Sequence, residues 1–290
     1  MRPASNKVRR ARPALGTFVE ITARGDGDAK LHAAIDRAFN AIARVERQMS
    51  FHQPDSDVSR INREAFQRKV TVDPWTWRVV RAAQKLSHET EGIFDITVAR
   101  KLMQWKYLPQ QYRNVSQGNW RDIVLEKNCT VRFLQPVIID LGGIAKGFAV
   151  DRAVKALKCA GVLSGVVNAG GDLRVFGLKS ELVHLRHPAE PMRPAGAINL
   201  RERALATSGT YFAQKRRGRA VISSLLDGRT RRCSRKLVSV SVAAPACMTA
   251  DALTKIVFVL GEKSAPLLAR YHADALLLER DGAPSWTFRS

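Results

Sequence analysis

The most constraining stretch of the chain is residues 137–147, VIIDLGGIAKG. Residues 137–141 form an apolar run that ends in Asp140 and Leu141, passes through Gly142 and Gly143, and enters a segment of helical spacing over 145–161, with Gly161 as its stop. This reads as a short buried strand, a glycine turn and a helix. Glycines let backbone N–H groups approach a ligand closely, and a helix start favours negative charge. Lys146 adds a point charge suited to phosphate. The pattern is neither a Walker A loop nor a G-x-G-x-x-G fingerprint. On its own, a strand, two glycines and a helix are most often an ordinary turn.

Strands and helices mix around it without a regular βαβ period. Residues 15–23 read as an opening strand and 29–50 as an amphipathic helix. Residues 51–63 read as a loop with a cap-like turn at Asp55 and Ser56. A second helix is expected over 74–89, strands over 163–176 and 237–243, a helix over 248–260 stopped by Gly261, and closing strands at 274–278 and 285–288. The expected fold class is α+β, with mixed sheets and packed helices in one two-lobed unit. Residues 1–13 read as a basic tail and 14–290 as the domain.

Composition limits the partners. The 290 residues carry a formal net charge of +22, which suggests a polyanionic ligand, nucleic acid or an acidic membrane surface. At 45% hydrophobic residues the chain has enough apolar material for a core, which argues against disorder. No run approaches the roughly 20 apolar residues of a membrane span. No apolar signal region follows the basic N-terminus, and the first cysteine is Cys129, so no lipobox is present and a cytoplasmic location is expected. Cys129, Cys159, Cys233 and Cys247 lack metal-like spacing and read as idle thiols. Residues 201–236 hold eleven basic residues against two acidic ones. With few aromatics interleaved, this reads first as a solvated face and second as a polyanion-facing surface.

Three more segments could carry chemistry. Asn168-Ala-Gly-Gly-Asp172 holds a backbone close to a ligand or simply bends a hairpin. Ala206-Thr-Ser-Gly-Thr-Tyr211 is a small-residue loop with hydroxyls. In the helix that begins near Met248, Asp251 and Lys255 lie four apart on one face. They form a routine ion pair, or Asp251 and Thr254 supply oxygen ligands to a hard cation or face a phosphate.

Taken together and in order, these segments resemble the ApbE family of FAD:protein FMN transferases. The resemblance runs from LGTFVEI at residue 15 through MSFHQPDSDVSRIN (49–62), GIFDIT (92–97), IDLGGIAKGFAVD (139–151), VNAGGDL (167–173) and ATSGTY (206–211) to DALTKIVFVLG (251–261). Each motif is weak alone, and their shared order carries the identification. It implies cleavage of the FAD pyrophosphate, transfer of the FMN half to a Thr hydroxyl of an acceptor protein, release of AMP and help from a divalent cation, usually Mg²⁺. By the same resemblance, Leu15, His52, Ile93, Phe94, Asp95, Asp140, Lys146 and Leu225 match flavin-contacting positions. Gly143 and Asp251 match metal-holding positions, with Thr254 the nearest hydroxyl. Asp251 and Lys255 are the candidate catalytic pair.

The chain departs from the family pattern in three places. His52 replaces a Tyr. SLLDGRTR (224–231) replaces HIIDPRTG, so that Gly228 stands for Pro and Arg231 for Gly. Lys255 occupies the position of the metal-site Thr, and Thr254 sits one residue early, a rotation of about 100° on a helix. The other readings are a metal-independent or non-catalytic FAD-binding paralogue and, ranked last, a basic protein that binds nucleic acid or anionic membrane. No helix-turn-helix, RNA-recognition or zinc-finger pattern supports the last.

Overall fold

The computed structural model describes residues 6–186, 194–210, 214–217, 220–233, 237–279 and 285–287. The chain opens with a hairpin of β1 (Asn6–Ala14) and β2 (Thr17–Gly25), closed by Leu15 and Gly16, both with positive φ. Residues 6–13, expected to be tail, are therefore the edge strand of the main sheet. Their cations have structural work: Arg9 pairs with Glu20, and Arg10 and Arg12 both reach Asp36. Basic side chains and Pro13 also suit an edge strand, because they discourage pairing with another chain.

Helix α1 (Asp28–Met49) follows and buries Leu31, Ile35, Phe39, Ile42 and Val45. Residues 51–63 do not stay a loop. Ser56 caps α2 (Asp57–Glu64) by accepting from Ser59 N at 3.0 Å, so the capping signal marked a helix that its polar composition concealed. Next come the short β3 (Val70–Thr71) and α3 (Pro74–Glu89), which starts with Asp73 as N-cap and Pro74 in its first turn. After α4 (Ala99–Gln104), the strands β4 (Ile123–Glu126) and β5 (Thr130–Phe133) join β3 in a small antiparallel sheet.

Residues 137–141 do not form the expected strand. They run extended through the core, with Ile139 hydrogen-bonded on both sides to the Asn62 side chain (2.7 and 2.9 Å) and Asp140 N donating to Ile96 O. An amide side chain and a loop carbonyl replace the strand partner, so the buried backbone is satisfied without a ladder. Helix α5 (Ala145–Cys159) then leads to β6 (Ser164–Ala169) and β7 (Asp172–Phe176), joined at Gly170 and Gly171, both with positive φ.

The remaining elements are β8 (Glu181–Arg186), β9 (Pro194–Leu200), β10 (Ala204–Gly209), β11 (Lys215–Arg217), β12 (Ala220–Ile222), β13 (Leu237–Ala244), α6 (Cys247–Leu260), α7 (Ala265–Arg270), β14 (Asp274–Glu279) and β15 (Ser285–Thr287). The main sheet is antiparallel, in the order β1-β2-β6-β7-β10-β13-β14-β15. Helices α1, α5 and α6 cover one face of it, and the β8–β9 hairpin covers part of the other through Leu173, Val175, Leu185, Leu200, Leu205 and Leu276. The fold class is α+β, as expected. Among the described residues no helix is long and apolar enough to cross a membrane, and the four cysteines are free thiols.

Strand alternation positions the chemistry. Along β7, Leu173 and Val175 face the hairpin, so Asp172 and Arg174 face the helices. Along β10, Leu205 faces the hairpin, which turns Ser208 toward α6.

Candidate active site

Two adjoining compartments of about 600 and 520 Å³ share Gly16, Leu108, Asp140, Gly142 and Lys146 and so form one cleft. The first is lined by Ile93, Phe94, Asp95, Leu225, Gly143 and Lys255, the second by Leu15, Phe51 and His52. Every sequence-expected site residue except Asp251 and Thr254 lies on this wall, and those two are fully buried just beneath it. Tyr211 and the cluster residues Arg219, Arg235 and Lys236 fall outside the described residues.

The floor is built by α5 crossing α6. A Cβ on Gly147 would stand 2.3 Å from Cys247 O, so only glycine allows the contact. That approach lets Gly147 N donate to Asp251 Oδ2 at 3.0 Å. Asp151, one turn further along α5 and on the same face, accepts from Cys247 N (3.0 Å) and Met248 N (2.9 Å) and pairs with Arg174 (2.5 Å). It therefore caps α6 from a neighbouring helix, where the Ala246 side chain cannot.

Two ammonium groups stand over two buried carboxylates. Lys146 pairs with Asp172 at 2.5 Å, and Lys255 pairs with Asp251 Oδ1 and also donates to Asp251 O at 2.9 Å. Asp172 and Asp251 are 1% and 0% exposed, whereas the Lys146 and Lys255 side chains are 35% and 19% exposed at the cleft. Burial works against the charge on Asp251, but Lys255, Lys146 and the Gly147 N–H together hold its carboxyl below the ordinary carboxylate range. Asp172 goes the other way: burial and the charge of Asp251 push it up, against the pull of Lys146. Burial alone would lower Lys146, but Asp172 and Asp251 outweigh it and raise the ammonium's pKa. Thr254 Oγ1 is occupied by Asp251 O and Ser208 Oγ, each at 2.7 Å.

The upper wall is held by the loop that departs from the family pattern. Gly228 N donates to Ile93 O at 2.9 Å, and a Cβ there would lie 2.3 Å from Gly92 O. Arg231, at φ 57°, donates to Asp95 Oδ2 (3.0 Å), Thr97 Oγ1 (2.8 Å) and Gly118 O (3.1 Å). Burial raises the Asp95 carboxyl, with Arg231 opposing. The Asp140 carboxyl is also raised by burial, and its Oδ2 would lie 2.9 Å from a Cβ on Gly142.

Sequence reasoning missed several supports. In the sequence Asp172 stands out only as the residue that ends the Asn-Ala-Gly-Gly turn. Asp151 could have been found from its four-residue spacing to Gly147. Glu46, which accepts from Leu15 N at 3.1 Å and so fixes the hairpin tip in the second compartment, left no local signal.

A concave, mostly apolar cleft with paired cations at a helix start is the arrangement of a protein that handles a ring-bearing phosphate compound. Comparison with known proteins narrows the class. The ApbE family model matches residues 15–277, so the chain belongs to the ApbE family. It is 30% identical to the FAD:protein FMN transferase of Vibrio cholerae over 94% of this chain and 87% of that protein. The crystal structure of the ApbE protein from Thermotoga maritima superposes with a TM-score of 0.87 at 27% identity, covering 97% of this chain and 96% of that one. The apo flavinyl transferase ApbE of Pseudomonas stutzeri shares the fold, with a TM-score of 0.84 at 23% identity over 99% and 95% of the two chains.

Proposed function

We propose that this protein transfers the FMN half of FAD to a Thr hydroxyl of an acceptor protein and releases AMP. The observation that carries the reading is the convergence of Lys146 and Lys255 on a two-compartment cleft with room for a ring system on either side of a pyrophosphate. The Ile93, Phe94, Leu225 and Leu226 wall suits a flat aromatic ring, and Leu15, Phe51 and His52 supply a second apolar seat. The pyrophosphate then lies by the α5 start, where Lys146, Lys255 and the helix dipole offset its charge.

In the reaction, the acceptor hydroxyl oxygen bonds to the FMN phosphorus and the bridging P–O bond breaks. AMP departs with the bridging oxygen, and the hydroxyl proton passes to solvent. Such transfers depend chiefly on positioning and charge neutralisation, which are what the two cations and the rigid α5–α6 floor provide. The acceptor enters from solvent at the open side of the cleft.

A divalent metal, implied by the family resemblance, does not suit the donors that Asp251 and Thr254 offer. Asp251 Oδ1 and Oδ2 are held by Lys255 and by Gly147 N, Asp251 O by Lys255 and Thr254, and the Thr254 hydroxyl by Ser208. A hard cation needs several free oxygens. The described residues contain no group of three or more His, Cys, Asp or Glu able to hold one.

The test is to incubate the protein with FAD and an extract of its host cells, then read flavin fluorescence on a denaturing gel. A labelled band that requires both protein and FAD is expected. FAD bound but never fixed to any protein would favour the non-catalytic paralogue, which the closed Asp251 carboxylate also fits.

A further inference from the structure

We infer that the Lys255 ammonium is the resident cation of this site, set against the substrate pyrophosphate in place of a divalent ion, so that FAD binding and cleavage proceed without metal. The inference rests on the FMN-transfer reading and specifies how that site neutralises charge.

Four observations carry it. Lys255 lies on the cleft wall, not behind it: it lines the first compartment with Gly143 and Lys146. A Cβ on Gly143 would stand 3.7 Å from Lys255 Cε, which puts the lysine stem directly against the glycine turn. The ammonium is fixed from below by Asp251 Oδ1 and by Asp251 O at 2.9 Å. An ammonium has three N–H donors, so this anchoring leaves one for a ligand oxygen. Finally, both Asp251 carboxylate oxygens already hold a donor. Its second oxygen takes Gly147 N at 3.0 Å, and this bond depends on the α5–α6 contact that only a glycine permits. A metal bound to Asp251 would either sit beside the Lys255 ammonium, two like charges in one buried spot and unfavourable at low effective dielectric, or have to displace it.

The charge balance is consistent. Lys146 and Lys255 balance the buried Asp172 and Asp251, so those carboxylates call for no added ion, and what the lysines offer a substrate is directed N–H donors at the cleft surface. The α5 N-terminus contributes roughly +0.5 of a charge toward an arriving anion. A singly charged, directional ammonium replaces a doubly charged ion, so binding and positioning are retained while transition-state stabilisation is smaller.

The experiment uses the full chain and two readouts: FAD affinity from the quenching of flavin fluorescence, and AMP release with acceptor present. Both are measured in excess EDTA and in excess MgCl₂. The wild type is expected to bind FAD and release AMP equally, within about twofold, in the two conditions. Loss of either in EDTA overturns the inference. Lys255→Met keeps the stem and removes the charge, and its FAD affinity is expected to fall about tenfold in both conditions. A folded Lys255→Met protein, judged by its thermal transition, that binds FAD as tightly as wild type also overturns it. Absence of FAD binding in every wild-type condition removes the FMN-transfer reading itself, an outcome distinct from a metal requirement.

Discussion

Arg231 reaches back across the chain to Asp95, Nη2 to Oδ2 at 3.0 Å, and so ties the 224–231 loop to the cleft wall at 93–96. Both groups are largely buried, at 11% and 1% side-chain exposure. Removing one member of such a pair strands the other charge. Arg231→Gly is therefore expected to cost about 3 kcal/mol in urea unfolding, even though glycine suits the left-handed backbone there. Adding Asp95→Asn is expected to recover most of that loss.

Gly147→Ala is expected to act well beyond its size. The added methyl meets Cys247 O at 2.3 Å, and backbone on a helix cannot yield cheaply. The expected cost is about 2–3 kcal/mol, with FAD affinity falling as the floor under Lys146 shifts. Thermal unfolding and flavin titration on one preparation check both parts.

Lys146 and Asp172 separate stability from binding. Lys146→Met leaves Asp172 buried without its partner, at an expected cost of about 3 kcal/mol, and removes a cation from the cleft. In Lys146→Met/Asp172→Asn the stability is expected to return while FAD affinity stays low. A double variant that recovers both would assign Lys146 a purely structural role.

Asp140 predicts a pH signature. Burial raises its carboxyl in the folded state above the roughly 3.9 of an unfolded chain, so the folded protein holds this proton more tightly. That contribution is fully present below pH of about 4 and is lost as pH rises through the folded value. Asp140→Asn keeps the size and shape of the side chain but has no charge to bury. Its stability relative to wild type is expected to grow across that interval and then level off, as read from urea midpoints at a series of pH values.

The periodic elements were legible in the sequence. The helices over 74–89 and 248–260 and the strand over 237–243 lie within a residue or two of where apolar spacing put them, because each buries one regular face. Local signals failed where a distant group settled the structure. Residues 137–141 look like a strand, but the Asn62 side chain satisfies them. Residues 6–13 look like a tail, but β2 and Asp36 recruit them. The basic charge was legible only as an excess. Part of it is engaged in contacts of the fold, with Arg44 and Arg152 stacked on Trp75 at 4.1 and 4.0 Å, and Arg203 bridged to Asp274. At the site, the positions that family motifs mark as flavin-contacting, from Leu15 to Leu225, line one cleft. The closure of Asp251 by Lys255 and Gly147 needed coordinates, because it depends on how closely two helices cross.

The two halves of FAD are expected to part company on this protein. The most direct measurement uses FAD labelled separately in its FMN and AMP halves and follows both through a denaturing separation after incubation with acceptor. The expected result is FMN label fixed to protein, matched by an equal amount of free AMP. Intact FAD recovered from both labels, with no flavin on any protein in EDTA or in MgCl₂, would contradict it.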